Sequence, residues 1–554
     1  MSTTPDLIVT NARVWQGKGG MRDWAEAFAC KDGRILAVGS SQDIEPLGGP
    51  ATQVLRLAGA TVLPGLNDTH LHPLLAGIRM TECRIPQGSD MATFRDSIRK
   101  ALASRQPGSW ITGGQWDAGT LGRVPNRADL DDLTGDVPAL LNDTSGHSAL
   151  ANTAALHLAG LTAETEDPPQ GIIERRADGS LSGVLRERAI ELVQKHQPKP
   201  THDALCRAIE TAHDQLLSYG ITSCTEASIG MNAGAEAELR AYQDVIAAGN
   251  LHQRTRIFLI WEPGDPVAED IIARRGEFAH PLLDLDCIKI HLDGVPTDGH
   301  TAAMLEPYAE EMKGRNDDAA RFGLLLQDPD VLARAVTRFD AEGLLVKYHA
   351  VGDRAVRMGL DAIAAARAAN GMTGRRLEIG HSTFVHPLDI QRCRDLGAVF
   401  ELSPYLWGPC PINDDIEKAV GSARIERIWP FREIIDAGAM VIAGSDWPVV
   451  DDANPWPAIE TLVTREAPGG SEISFGKRQA ITLREAIDLF TTWPAQVLGQ
   501  GDQLGQLAPG YLADFIVLDR NPFDIPVREI HKVGCLATFI GGKRVFEHGQ
   551  GVMG

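Results

Sequence analysis

The stretch TVLPGLNDTHLHP, residues 61–73, decides how this chain is read. It opens as an apolar extended run, breaks at Pro64-Gly65, and then sets His70 and His72 on the same side of an extended segment, with Asp68 in the same alternation. Two imidazoles spaced in this way can share one metal ion. In a chain with 16 histidines the triplet alone is a weak signal. A metal site also needs ligands from other segments, at positions the fold brings together.

The rest of the chain offers a fold that could supply them. Its 554 residues exceed one compact core, so two or more domains are expected. Hydrophobic residues at 43% and charged residues at 23% are ordinary for a globular protein. The net charge of −21 and the pI near 5.2 disfavour nucleic acid or an anionic membrane as partner. The start, MSTTPDLIVTNARVW, lacks a basic segment followed by an apolar one, and no run of about 18 apolar residues follows. The 8 cysteines form no C-x-x-C pair, which suits a reducing cytoplasm and disfavours a cysteine-built zinc site.

The two ends resemble each other. LIVTNARVW, ILAVGS and QVLRLAGATVLPG near the start, and DFIVLD and CLATFIGGKRVFE near the end, read as short strands, with Gly541-Gly542 as a hairpin turn. Neither set is large enough to stand alone, so residues 1–60 and 497–554 are predicted to build one β-sandwich. Between them strand and helix alternate. Eight strand candidates are ATVLPG, ITSCTEA, RIFLIWE, CIKIHLDG, LLVKYHAVG, LEIGHST, AVFELSP and MVIAGSDWP, and stretches such as DALCRAIETAHDQLLSYG and DVLARAVTRFDAEG carry helical periodicity. The pattern predicts an α/β fold, a (β/α)8 TIM barrel over residues 61–79 and 199–496. Residues 80–198, with GSWITGGQWDAG, VPALLNDTSGHSALAN and the hairpin-like GIIERRADGSLSGVL, read as a cap inserted after the first strand.

In such a barrel the active site lies at the C-terminal ends of the strands. Alternation in CIKIHLDG puts Lys289, His291 and Asp293 on one face and the apolar residues on the other, so Lys289 points inward. His349, His381 and Asp446 end the fifth, sixth and eighth strand candidates. Random placement rarely gives this order with each member at a strand end, and His70 and His72 are read as ligands of one ion.

The motifs LPGLNDTHLHP, KIHLDG, YHAVGDRAV, EIGHST, GSDWPV and the tail GQLAPGYLADFIVLD resemble the amidohydrolase superfamily, in its YtcJ-like branch, amidohydrolase family 3, which includes proteins similar to N-substituted formamide deformylase. The resemblance spans nearly the whole chain. It implies a barrel beside a sandwich made from both termini, and a binuclear site, usually zinc, with manganese, iron or cobalt as alternatives. By position, His70, His72 and Asp446 would hold one ion and His349 and His381 the other. Lys289, carboxylated by carbon dioxide, would bridge them. The segment KIHLDGVPTDGHTAAM departs from the usual sequence after that lysine, which bears on substrate contacts rather than on the ligand.

This set of residue types suits hydrolysis. Two ions sharing a hydroxide make a nucleophile near neutral pH. Asp446 beside it can take a proton and pass it to a leaving amine. Lysine reacts with carbon dioxide only as the neutral amine, which burial near cations favours. Three readings compete at the bridge. Lys289 can be an unmodified lysine paired with Asp293 or Glu226, leaving one metal; Lys347 or Glu226 can take the bridging place. His386 precedes Pro387 and lies past its strand, so His381 is preferred as ligand. Asp68 is read as an orienting group.

Substrate contacts are less well marked. His147, in NDTSGHSALANTAAL, is a candidate catalytic residue for the substrate carbonyl or leaving group, or else a capping histidine. Trp116, His300, Tyr405, Trp407 and Trp447 are candidate pocket residues. The leading function is a hydrolase of a non-peptide C–N bond: an amide, N-substituted formamide, carbamate or cyclic amide. The alternatives are an ester or lactone hydrolase, a deaminase, or a non-catalytic regulatory or binding protein on the same fold. The expected partners are a small-molecule substrate and further copies of the chain, as a homodimer or higher homo-oligomer, in the cytoplasm.

Overall fold

The computed structural model describes residues 4–17, 23–86, 88–105, 108–169, 171–297, 299–309, 317–372 and 374–549. The chain divides into two compact units, Met1–Pro73 with Ile209–Gly554, and Leu74–Ala208.

The first unit is built around eight parallel strands: β1 Leu66–Leu71, β2 Ile221–Ile229, β3 Arg254–Ile260, β4 Cys287–His291, β5 Leu345–Ala350, β6 Glu378–His381, β7 Val399–Leu402 and β8 Met440–Ala443. They pair in chain order, with Leu283–Asp284 added beside β3. The ring is nearly closed by Thr69 Oγ1 donating to the Ala443 carbonyl (2.8 Å), the Asp446 amide to the His70 carbonyl (2.6 Å) and the His72 amide to the Trp447 carbonyl (2.7 Å). Helices follow most of the strands. Pro329–Ala341 shows why: Asp328 caps the backbone amides of Asp330 and Val331, Pro329 opens the first turn, and Leu332, Ala335, Val336 and Phe339 form one buried stripe. The expected (β/α)8 class is therefore what the chain adopts.

The first strand differs from the sequence-based expectation. Thr61–Pro64 does not join the barrel; it pairs with Arg13–Val14 and, antiparallel, with Phe515–Leu518. The barrel strand begins after the Pro64-Gly65 break. A Cβ at Gly65 would lie 2.2 Å from Thr222 Oγ1, so only glycine lets the chain cross so close to β2. Periodicity marks both segments as extended but cannot tell which sheet each joins.

Both termini build two sheets over one core. Residues 34–39, 27–31, 7–10 and 53–56 form one sheet; residues 543–547, 535–540, 515–518, 61–64, 13–15 and 24–25 form the other. Phe515 sits at the centre, stacked on Phe539 (4.3 Å between ring centroids) and edge-on to Phe28 (5.0 Å). Lys543 pairs with Ile540 across Gly541-Gly542, the expected hairpin.

The second unit has a six-stranded sheet in the order 171–175, 181–187, 148–151, 139–143, 111–116 and 83–84. The run VPALLNDTSGHSALAN forms an antiparallel pair, Ala139–Asp143 with Ser148–Ala151. Phe94, Ile98, Ile111, Trp116, Leu130, Leu141 and Leu150 make its core. Among the described residues no helix is long and apolar enough to cross a membrane.

Candidate metal centre

The C-terminal ends of the barrel strands carry a buried histidine cluster. His70, His72 and Asp446 each offer a ligand atom, and these atoms all lie within 4.8 Å of one another. Asp446 Oδ1 is 3.2 Å from His72 Nε2 and 3.7 Å from His70 Nε2, and its Oδ2 is 3.8 Å from His381 Nδ1. The His381 ring lies 4.6 Å from that of His70 and 4.3 Å from that of His349, between centroids. Asp446 and His381 both have left-handed backbone conformations, with φ of +59° and +65°. Non-glycine residues adopt this region at a cost, and such strain concentrates at functional sites.

Neighbouring strands hold the rings. Glu401, fully buried on β7, accepts from Nδ1 of His70. With Glu401 ionised, this hydrogen bond puts the proton on Nδ1 and turns the Nε2 lone pair to the cluster. Asp293 accepts from Nδ1 of His349 (3.3 Å). Ser228 Oγ lies 3.0 Å from His72 Nδ1, and Ser403 Oγ 3.1 Å from His381 Nδ1. Glu226 Oε1 is 3.6 Å from His72 Nδ1, and its other oxygen accepts from Tyr242 (3.2 Å). Asp68 accepts from the amides of His70 and Ser445 (both 3.1 Å) and from the Tyr405 hydroxyl (3.3 Å), tying β1 to the segment that carries Asp446.

The electrostatics favour neutral imidazoles at His70 and His381, whereas at His72 burial is outweighed by the Asp446 and Glu226 carboxylates, which raise the imidazole. Burial, and next Lys289 for His70 and His349 for His381, hold both histidines well below the ordinary range. Burial pushes the Asp68 carboxyl up to about 6, although hydrogen bonds from Ser445 and His70 oppose it. The Lys289 amine is held below the usual lysine range, first by burial and then by the Lys347 ammonium. Burial raises the Glu401 carboxyl.

The two inward lysines are adjacent in register on β4 and β5 but differ in surroundings. Lys347 donates to the Thr69 carbonyl (2.6 Å) and pairs with Glu378 (3.0 Å), which also pairs with Arg256 (2.9 Å). Lys289 Nζ instead lies 3.4 Å from His70 Nε2.

The donor set fits a divalent metal. Imidazole and carboxylate are the ligand types that zinc and similar ions take. Several donors converge in a buried place, and Glu401 Oε1 has no hydrogen-bond partner among the described residues. His70, His72 and Asp446 would hold one ion; His349, His381 and Lys289 lie beside them.

The remaining candidates are placed as follows. Tyr405 is half-buried, its ring 5.2 Å from that of Trp407. Trp407 is fully buried and packs edge-on to Phe431, and Trp447 is 3% exposed. His300 is buried and stacked on Tyr308 at 4.4 Å, with φ of +46°. In the second unit Trp116 lies in the core with its indole N–H donating to the Leu141 carbonyl (2.8 Å). His147 Nδ1 lies 3.0 Å from Glu187 Oε2. His386 caps the helix Pro387–Asp395, past the end of β6. Glu401 was passed over by sequence reasoning, which weighed Asp293 only as a partner of Lys289. The signal at Glu401 was a lone charge inside the apolar run AVFELSP, since unpaired charges are rarely enclosed.

The amidohydrolase family profile matches residues 53–546. The chain is 30% identical to Protein LONG AFTER FAR-RED 3 of Arabidopsis thaliana, over 98% of this chain and 91% of that protein. It is 28% identical to the N-substituted formamide deformylase of Arthrobacter pascens, over 99% of each. The fold is similar to that of a metal-dependent hydrolase from Pyrococcus horikoshii OT3, with a TM-score of 0.74 and 22% identity over 94% of this chain and 99% of that one.

Proposed function

The chain belongs to the amidohydrolase family, hydrolases of carbon–nitrogen bonds, and from that membership and the cluster at the strand ends we propose that it is a metal-dependent hydrolase of a non-peptide C–N bond. The observation that carries the reading is the convergence of His70, His72 and Asp446. In this reading they would hold one divalent ion, zinc first, with manganese, iron or cobalt as alternatives. His349 and His381 would hold a second, and Lys289, as its carbon dioxide adduct, would supply the oxygens shared between them. Bound ions would polarise the substrate carbonyl and make water a nucleophile.

The protein's own groups do the rest. Asp446 takes a proton from the attacking water and delivers it to the nitrogen as the C–N bond breaks, so an acid and an amine leave. Glu401 keeps the His70 Nε2 lone pair directed at the cluster. Asp68 and Tyr405 hold the backbone on which Asp446 sits. No step is assigned to His147, whose ring is paired with Glu187.

The N-substituted formamide deformylase relative makes formamides the first substrates to test, followed by amides, carbamates and cyclic amides. The experiment is metal analysis of the purified protein together with that panel, extended to esters, lactones and amino-purines. Close to two metals per chain and turnover of at least one C–N substrate are expected. Turnover of esters or lactones alone, or ammonia release alone, would move the reading to those classes. Absence of metal, with added zinc or manganese changing neither stability nor activity, would leave a binding or regulatory protein, at home in the cytoplasm or elsewhere.

A further inference from the structure

Asp293 follows β4 and is 1% exposed. Among the described residues its carboxylate accepts four hydrogen bonds from two later segments. Oδ1 takes the Val351 amide (3.0 Å) and His349 Nδ1 (3.3 Å); Oδ2 takes the amides of Gly352 (2.8 Å) and Ala303 (2.9 Å). Gly352 lies so close to the returning segment that a Cβ there would sit 2.0 Å from the Ala303 carbonyl oxygen. One buried carboxylate thus joins the end of β4, the end of β5 and the segment that carries His300 and Thr301.

We propose that Asp293 is a positioning residue that sets the tautomer of His349 and locks the 299–304 segment to the site. The proposal builds on the metal reading above, because a fixed His349 matters most if its Nε2 binds an ion. The carboxylate has no proton to give, so His349 must carry its own on Nδ1, leaving Nε2 as the donor atom. An amide in the same place cannot satisfy all four partners. With its oxygen toward Ala303 and Gly352, its NH2 faces His349 Nδ1 and favours the other tautomer, which blocks Nε2. With its oxygen toward His349, its NH2 opposes two backbone N–H donors.

The test compares the full-length protein with Asp293→Asn, His349→Ala and the double variant, by calorimetric titration of the metal-free forms with zinc. Asp293→Asn is expected to weaken the uptake that His349→Ala also weakens, by about 10- to 100-fold. In the double variant the loss should be no larger than in His349→Ala alone, since the two act through one ring. Wild-type affinity in Asp293→Asn, or losses that multiply, would overturn the proposal. A second measurement needs no folded Asp293 variant. In the unaltered protein labelled with 15N-histidine, the resonances that vanish in His349→Gln should include a pyrrole-type Nδ1. A pyridine-type Nδ1 there would also overturn it. If wild-type protein takes up no zinc, the metal reading fails, while the tautomer measured on that same protein still decides the role of Asp293.

Discussion

Nζ of Lys289 lies 3.4 Å from Nε2 of His70, and both side chains are buried. A lysine this close to an imidazole, with its amine held below the usual range by burial, is suited to the neutral form that reacts with carbon dioxide. Lys289→Ala is expected to lose most of the second metal and most activity. Acetate or propionate should restore a measurable part, because each supplies two oxygens to the vacated space. Lys289→Arg should not help, since guanidinium stays cationic. Two metals and near-normal turnover in Lys289→Ala, by metal analysis and kinetics, would move the bridge elsewhere, with Glu226 the next residue to change.

Lys347 serves as the contrast. It is buried in an ion pair with Glu378, so Lys347→Met is expected to leave metal content unchanged. Stability should fall by roughly 1–3 kcal/mol, because Glu378 keeps Arg256 but loses a buried hydrogen-bonded partner. Denaturant unfolding checks the second part. A variant of normal stability that has lost a metal would exchange the roles given to the two lysines.

Asp446 is expected to act on turnover beyond its part in holding metal. Asp446→Asn keeps an oxygen near His72 but cannot accept and pass a proton. With zinc added to saturation, kcat should fall by about 10²- to 10⁴-fold, with a smaller change in KM. If saturating zinc restored kcat, Asp446 would be a ligand and no proton carrier.

Glu401 is predicted to tune His70 through its Nδ1. Glu401→Gln should lower zinc affinity by about 10- to 100-fold, and Glu401→Ala by at least as much. Both should leave uptake by a His70→Ala protein unchanged. Zinc titration decides, and an equal further loss in the His70→Ala background would point to a direct contact of Glu401 with the ion.

How far the sequence reached follows from what each signal depends on. The strand-and-helix alternation and the polar residues at strand ends are local patterns, and seven of the eight strand segments lie in the barrel where the order of motifs put them. Thr61–Pro64 was misplaced because sheet membership is a tertiary property. Trp116 and Trp407 read equally well as pocket or core in one dimension, and only their enclosure separates the two. Glu401 and Asp293 were obscured for another reason. Their partners, His70 and His349, are 331 and 56 residues away, so no spacing along the chain exposes the pairing.

The last prediction concerns acid stability and lies away from the metal centre. His213, in the helix His202–Ser218, is 1% exposed and meets Tyr242 edge-on at 6.0 Å. Burial lowers its imidazole from 6.5 to about 4, against a weaker opposing interaction with Gln253. The folded state therefore binds its proton less readily than the unfolded chain does. The contribution to stability is fully present above pH 6.5 and is lost as pH falls toward 4. At about 1.4 kcal/mol per unit, the whole window is worth about 3 kcal/mol. Urea unfolding of the metal-free protein at pH 4.5 and pH 7 should show most of that loss in the wild type. In His213→Leu, which has no proton to take up, the difference between the two pH values should shrink by most of that amount. An unchanged difference would assign the acid sensitivity to the site histidines instead, and loading with zinc, which competes with protons for those rings, would then have to suppress it.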